Sequence, residues 1–165
     1  MSFDELYQEL ILDHSKRPRN YGELEDAVHV HGDNPSCGDE IYLHVKFGPE
    51  TVEEIKFTGH GCAISQASAS MMTLKLKGKP RTEAERLMRL FHDRVAGGKA
   101  GGTEDGGDPG PGPRELGDLN VLSGVRKFPQ RVKCAMLAWR AFEQALAESG
   151  DGKADLRIST EDQEG

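Results

Sequence analysis

Three cysteines, Cys37, Cys62 and Cys134, and an acid two residues after the first of them are the most chemically capable side chains of this 165-residue sequence. An odd number of thiols cannot complete a disulfide framework. Few, widely spaced cysteines serve instead as buried hydrophobes, metal ligands or nucleophiles. Cys37 lies in Asn34-Pro35-Ser36-Cys37-Gly38-Asp39, whose turn-forming residues predict that Cys37 and Asp39 project from a tight loop. There a thiolate and a carboxylate could converge on one ion, although ordinary loop chemistry would give the same string. Cys62, in Gly59-His60-Gly61-Cys62-Ala63-Ile64-Ser65, falls where a strand gives way to a helix. Unpaired N–H groups at a helix start favour the thiolate, which makes Cys62 a ligand or nucleophile candidate; a buried apolar cysteine is the other reading. Cys134 follows Arg131-Val132-Lys133, and two basic neighbours also favour a thiolate, whereas a helical cysteine on its own suits a core. Three thiolates and Asp39 make four donors, enough for a closed tetrahedral site. Soft thiolates select zinc, copper(I) or iron–sulfur over magnesium or calcium. The spacings match no zinc-finger pattern, so residue types alone leave both a metal site and three structural cysteines open.

The elements that must position these residues are legible as periodicities. Phe3, Leu6, Tyr7, Leu10 and Ile11 recur at helical spacing, and Pro18, Asn20 and Gly22 end that helix. A short strand is expected over 26–31. Ile41, Leu43, Val45 and Phe47 alternate with Tyr42, His44 and Lys46, a half-buried strand that turns at Gly48-Pro49-Glu50 into a hairpin partner from Val52 to Thr58. A helix rich in small residues runs from Ile64 to Lys77. Thr82 and Glu85 have the spacing of a capping box opening a helix to about Val95. A turn or short helix covers Leu116 to Leu122, and a last helix follows Pro129 with Val132, Met136, Trp139, Phe142 and Leu146 on one face. Strands come first and helices cluster later, so the expected class is α+β, an antiparallel sheet covered on one side.

Composition narrows the function classes. With 36% hydrophobic and 30% charged residues, the sequence reads as one soluble domain over 1–148, and no apolar run approaches the ~18 residues of a membrane span. Nothing at the N-terminus resembles a secretory signal, so the cytoplasm is the expected compartment. A net charge of -7 argues against nucleic acid as a partner. Residues 97–113 hold eight of the 20 glycines and read as a flexible loop, and 149–165 reads as a disordered acidic tail. Those two segments carry most of the negative charge.

Taken together, Asn34 to Asp39, Gly59 to Met72 (Gly-His-Gly-Cys-Ala-Ile-Ser-Gln-Ala-Ser-Ala-Ser-Met-Met) and Phe128 to Cys134 (Phe-Pro-Gln-Arg-Val-Lys-Cys) resemble the U-type iron–sulfur assembly proteins of the IscU/NifU N-terminal superfamily. The likeness runs from about Leu6 to Leu146, apart from the glycine-rich loop, which is longer than the family's usual insert. Members of the IscU branch are scaffolds that carry a histidine directly before the third cysteine and build [2Fe–2S] clusters. The SufU branch is more similar: Lys133 stands at that position, and an extra segment, here Arg81 to Leu122, separates the second and third cysteines. The resemblance implies a small, about three-stranded antiparallel sheet packed on one side by helices. It also implies a zinc-dependent sulfurtransferase in which Cys37, Asp39, Cys62 and Cys134 bind one Zn2+. A partner histidine would take a coordination place, freeing catalytic Cys37 to attack the terminal sulfur of a persulfide on a SufS-type, pyridoxal-phosphate-dependent cysteine desulfurase. A downstream iron–sulfur scaffold complex would then receive the sulfur. Arg131 and Lys133 would moderate the negative charge of the ligand set, and Arg131 would orient the site or meet the partner.

Other residues offer less. His29 and His31 mimic a two-histidine metal pair on one strand face, but solvated strand histidines are the commoner outcome; His60 is explained by its turn. Ser65, Ser68 and Ser70 suit close helix packing better than a phosphate loop. No Walker-type run and no His-Glu-x-x-His is present. Three functions therefore stand at this point: a zinc-dependent sulfurtransferase, a [2Fe–2S] scaffold on the same residues, and a structural zinc domain that recruits partners.

Overall fold

The computed structural model describes residues 3–96, 114–148 and 154–159. The expected glycine-rich loop over 97–113, and 149–153 and 160–165 of the expected tail, lie outside the described residues. Helix α1 (Phe3–Lys16) leads into strands β1 (Val28–Asn34), β2 (Asp39–Phe47) and β3 (Val52–His60), then helices α2 (Ala63–Leu76) and α3 (Arg81–Ala96). A run of 3-10 turns (Arg114–Lys127), helix α4 (Pro129–Ala147) and strand β4 (Ala154–Ser159) complete the order.

Strands β1, β2 and β3 form the antiparallel hairpin series that the alternation predicts, with Val30 opposite Leu43 and Leu43 opposite Phe57. Their inward residues Val28, Val30, Leu43, Val45, Ile55 and Phe57 are fully buried. The helices cover this one face, so the architecture is the expected α+β. Trp139 on α4 stacks on Phe91 of α3 at 4.2 Å between ring centroids, and both are fully buried. Burying an indole of about 150–250 Å² is worth on the order of 4–6 kcal/mol of transfer free energy.

The small residues of α2 do what packing requires. Ser68 Oγ donates to the Ala135 carbonyl of α4 at 2.6 Å and accepts from Trp139 Nε1 at 3.0 Å. Ser70 Oγ lies 2.8 Å from His14 Nδ1 of α1 and accepts the Arg19 amide at 2.8 Å. No phosphate loop is needed to explain these hydroxyls.

The sequence reading needs three corrections. Ala154–Ser159, expected to be part of a disordered tail, adds a parallel fourth strand to the free edge of β1, giving the order β3-β2-β1-β4. The polar tail hides a short alternation, Leu156 and Ile158 alternating with Asp155, Arg157 and Ser159, and Ile158 becomes buried. Gly32 makes room for it, since a Cβ there would stand 3.3 Å from Ile158 Cγ1. Helix α3 begins at Arg81, which places Thr82 inside the first turn rather than at the cap; Glu85 instead pairs with Arg89 at 2.6 Å. The short helix expected over Leu116 to Leu122 is longer, because Leu116, Leu119, Leu122 and Val125 bury one side of a tight three-residue repeat.

Candidate metal centre

The cysteine centre forms at one end of the sheet, where three separate element boundaries meet. The loop between β1 and β2 is closed by the Cys37 and Gly38 amides, which both donate to the Asn34 carbonyl at 3.1 and 3.0 Å. Gly38 takes a φ of +71° there, a conformation costly for a residue with a Cβ. This turn leaves Cys37 exposed at its tip. Asp39, expected to project from the loop, is instead the first residue of β2 and only 1% exposed. Cys62 caps α2, its sulfur accepting the Ser65 amide at 3.4 Å, as expected of a cysteine at a helix start. Cys134 is buried in the second turn of α4.

Packing brings all four residues together. Cys37 Sγ and Cys134 Sγ are 3.5 Å apart, and donor atoms of Cys37, Asp39 and Cys134 all lie within 4.8 Å of one another. The Asp39 carboxylate joins Cys62 to this group: Oδ1 accepts the Cys62 amide at 2.8 Å, and Oδ2 lies 3.9 Å from Cys62 Sγ. Gly61, at a φ of +154°, lets the chain pass this carboxylate; a Cβ would stand 2.9 Å from Asp39 Cγ.

The thiols are electrostatically unequal. Cys62 is held down to about 7, chiefly by a hydrogen bond from the Cys134 thiol and further by the Ser65 amide, against the opposing effects of burial and of Asp39. The Cys134 thiol is pushed up because it donates to Cys62 and because it is buried beside Asp39. A cation entering this centre displaces that proton, since thiolate is the coordinating form. Across a tetrahedral zinc, bonds of about 2.3 Å place two thiolate sulfurs about 3.8 Å apart. The 3.5 Å between Cys37 and Cys134 is close to that value. Cys37, Asp39 and Cys134, two thiols and a carboxylate gathered within 4.8 Å, therefore suit zinc, and by the softness of sulfur they suit cluster iron as well; Cys62 stands beside this group, 3.9 Å from Asp39 Oδ2.

Some contributors are invisible in the sequence pattern. Asn34, which reads as a turn former, is fully buried, and its Nδ2 donates to Asp39 Oδ2 at 3.3 Å and to Cys134 Sγ at 3.6 Å. Tyr7, read as one apolar position of α1, meets the Arg131 guanidinium through its hydroxyl. Burial raises the Tyr7 pKa, Arg131 lowers it, and the charges of Cys62 and Cys134 raise it. Arg131 thus stands beside the centre, with its guanidinium carbon also 5.5 Å from the Phe128 ring centroid. Lys133 is half-buried next to Cys134. The pair of His29 and His31 does not join this centre. His29 Nε2 lies 2.9 Å from the Leu24 carbonyl, and His31 faces Glu40 at 3.7 Å.

Known proteins resemble this chain. The family described as NifU-like N terminal domain matches residues 6–94. The zinc-dependent sulfurtransferase SufU of Bacillus subtilis (strain 168) is 43% identical over 151 residues, covering 92% of this chain and 96% of that protein. The iron–sulfur cluster assembly scaffold protein IscU of Streptococcus pyogenes serotype M1 is 43% identical over 148 residues, covering 90% and 87%. A SUF-system protein of Fervidobacterium islandicum AW-1, described as a scaffold for iron–sulfur cluster assembly, superposes with a TM-score of 0.73 at 35% identity, covering 86% of this chain and 97% of that one. The family match over residues 6–94 and the near full-length likeness agree: this chain belongs to the NifU-like N-terminal domain family, alongside the SufU and IscU proteins.

Proposed function

We propose that this protein is a zinc-dependent sulfur carrier for iron–sulfur cluster assembly, taking sulfur onto Cys37 from a SufS-type cysteine desulfurase and passing it to a downstream scaffold complex. One observation carries the reading. Of the clustered donors, Cys37 alone is exposed and sits on a short loop, while Asp39 and Cys134 are 1% and 2% exposed. A nucleophile that must reach a second protein needs this accessibility, and a short loop moves at lower cost than a helix.

Cys37, Asp39, Cys62 and Cys134 would hold the zinc. When bound, the ion keeps the thiolates deprotonated and, with four protein ligands, leaves no open position for hydrolytic water. The Cys37 thiolate attacks the outer sulfur of the desulfurase persulfide. A new S–S bond forms to Cys37, the old one breaks, and the desulfurase thiolate leaves with the bonding pair. Asp39 and Cys134 stay anchored by Asn34 throughout, so Cys37 returns to a preformed site. Arg131, between Tyr7 and Phe128, is placed to meet the partner or to offset the charge of the thiolates.

A [2Fe–2S] scaffold uses the same ligands, and a scaffold-named relative is as similar as the sulfurtransferase-named one. Lys133 favours transfer, because an ammonium beside Cys134 supplies no imidazole to ligate iron. Metal analysis together with desulfurase turnover separates the readings. Stoichiometric zinc and a rise in turnover that disappears in a folded Cys37→Ala protein support transfer. A stable brown cluster with no stimulation overturns it in favour of the scaffold. Stimulation untouched by Cys37→Ala would leave only a structural zinc domain.

A further inference from the structure

Successive residues of a strand face opposite sides of the sheet, so the neighbours Asp39 and Glu40 look in opposite directions. Asp39 turns inward to the cysteines; Glu40 turns to the outer face, which α2 and α4 leave uncovered. That face gathers His29, His31, His44 and His60, four of the six histidines in the sequence. Two of them converge on one carboxylate oxygen: His31 Nε2, from β1, and His60 Nε2, from β3, each lie 3.7 Å from Glu40 Oε2.

This separation is too long for a hydrogen bond, and His31 Nε2 is buried with no hydrogen-bond partner among the described residues. The group is nonetheless held in place. The Tyr42 ring stacks on His31 with centroids 4.4 Å apart and parallel planes, while its hydroxyl donates to Glu40 Oε2 at 3.2 Å. Asp33 stands opposite Glu40 on β1 and adds negative charge to the row. Donors bound at about 2.1 Å to one ion lie roughly 3.0–3.4 Å apart. The two imidazoles do not themselves stand within 4.8 Å of each other, so completing the set takes a swing of the His60 side chain, 71% exposed, toward His31.

We propose that His31, Glu40 and His60 form a second metal site, for a divalent first-row transition ion held by two imidazole nitrogens and one carboxylate oxygen. These harder donors complement the thiolate centre on the opposite side of the sheet, and the two sites are back to back through the peptide bond between Asp39 and Glu40. Three protein ligands leave positions for water, so the ion exchanges readily, unlike one enclosed by four ligands.

Co2+ titration of the zinc-loaded protein tests the site. One equivalent of cobalt should bind with weak visible bands and no sulfur-to-cobalt charge transfer, with zinc retained and the His31 and His60 imidazole signals paramagnetically shifted. Glu40→Gln and His60→Ala should each weaken cobalt binding about ten- to a hundredfold, with His92→Ala on α3 as an unaffected control. The site is overturned if no cobalt binds beyond the zinc, if both variants bind it like the wild type, or if cobalt displaces zinc and shows charge transfer from thiolate. A protein that binds cobalt on this face but holds no zinc at the cysteines would sink the transfer reading and leave this one standing.

Discussion

Asn34 donates to Asp39 across the Cys37 loop, at 3.3 Å, from a side chain that is fully buried. The same nitrogen reaches Cys134 Sγ at 3.6 Å. One amide therefore fixes a hard and a soft donor relative to each other, on residues 95 positions apart in the sequence. Outer-shell partners of this kind orient ligands and tune their basicity. Asn34→Ala should keep its secondary structure by circular dichroism and lose about ten- to a hundredfold in zinc affinity, measured by competition with a chromophoric chelator. Wild-type affinity in that variant would show that Asn34 only shapes the turn.

Gly61 gives a sharper backbone test. At a φ of +154°, and with a Cβ set to collide with the Asp39 carboxylate, Gly61→Ala should cost about 1–3 kcal/mol in stability and weaken zinc binding as well. Chemical denaturation with and without a chelator would distinguish the two losses. An unchanged denaturation midpoint would mean the loop relaxes at no cost.

Removing the metal should lower the thermal midpoint by an amount that grows with the logarithm of free zinc. At a hundred times the dissociation constant the linkage is worth about 2.7 kcal/mol. A midpoint independent of zinc would mean that the centre does not bind the ion in the folded state.

His14 predicts a pH dependence. Burial, then the Arg19 charge, hold its imidazole below the ordinary 6.5, against the opposing pull of Asp13 and Asp118. The unfolded chain therefore takes up this proton first as pH falls. Stability is full above about pH 6.5 and declines as pH drops toward the folded-state value. His44, buried beside His29, acts in the same direction. Unfolding followed from about pH 7.5 to 5.5 should show a shallower decline in His14→Gln than in wild type; equal slopes would remove His14 from the account.

Strand β4 is testable through its one buried anchor. Ile158→Ala should destabilise by about 1–3 kcal/mol, the low side of core truncations because the strand lies at a sheet edge. Zinc content should be unchanged, since Ile158 packs over Gly32 and not at the centre. Loss of zinc in this variant would tie the edge strand to the metal site.

The sequence by itself determined whatever depends on local repetition and residue chemistry. Alternation from Ile41 to Phe47 specified a half-buried strand, the small residues after Cys62 specified a tightly packed helix, and three thiols with Asp39 marked the side chains able to hold a soft ion while leaving structural cysteines open. Each is readable because neighbouring side chains repeat at the period of their element. Tertiary structure decided what depends on separate segments meeting. The 3.5 Å approach of Cys37 to Cys134 is set by α4 packing against the sheet. The roles of Asn34, read only as a turn former, and of Tyr7 arise from partners far along the chain. The strand at Ala154–Ser159 was hidden because six residues of weak alternation gain order only from the open edge of β1. In sequence His31 pairs with His29 and His60 with its turn; strand register alone places His31 and His60 beside Glu40, because pairing across a sheet joins residues that no local pattern connects.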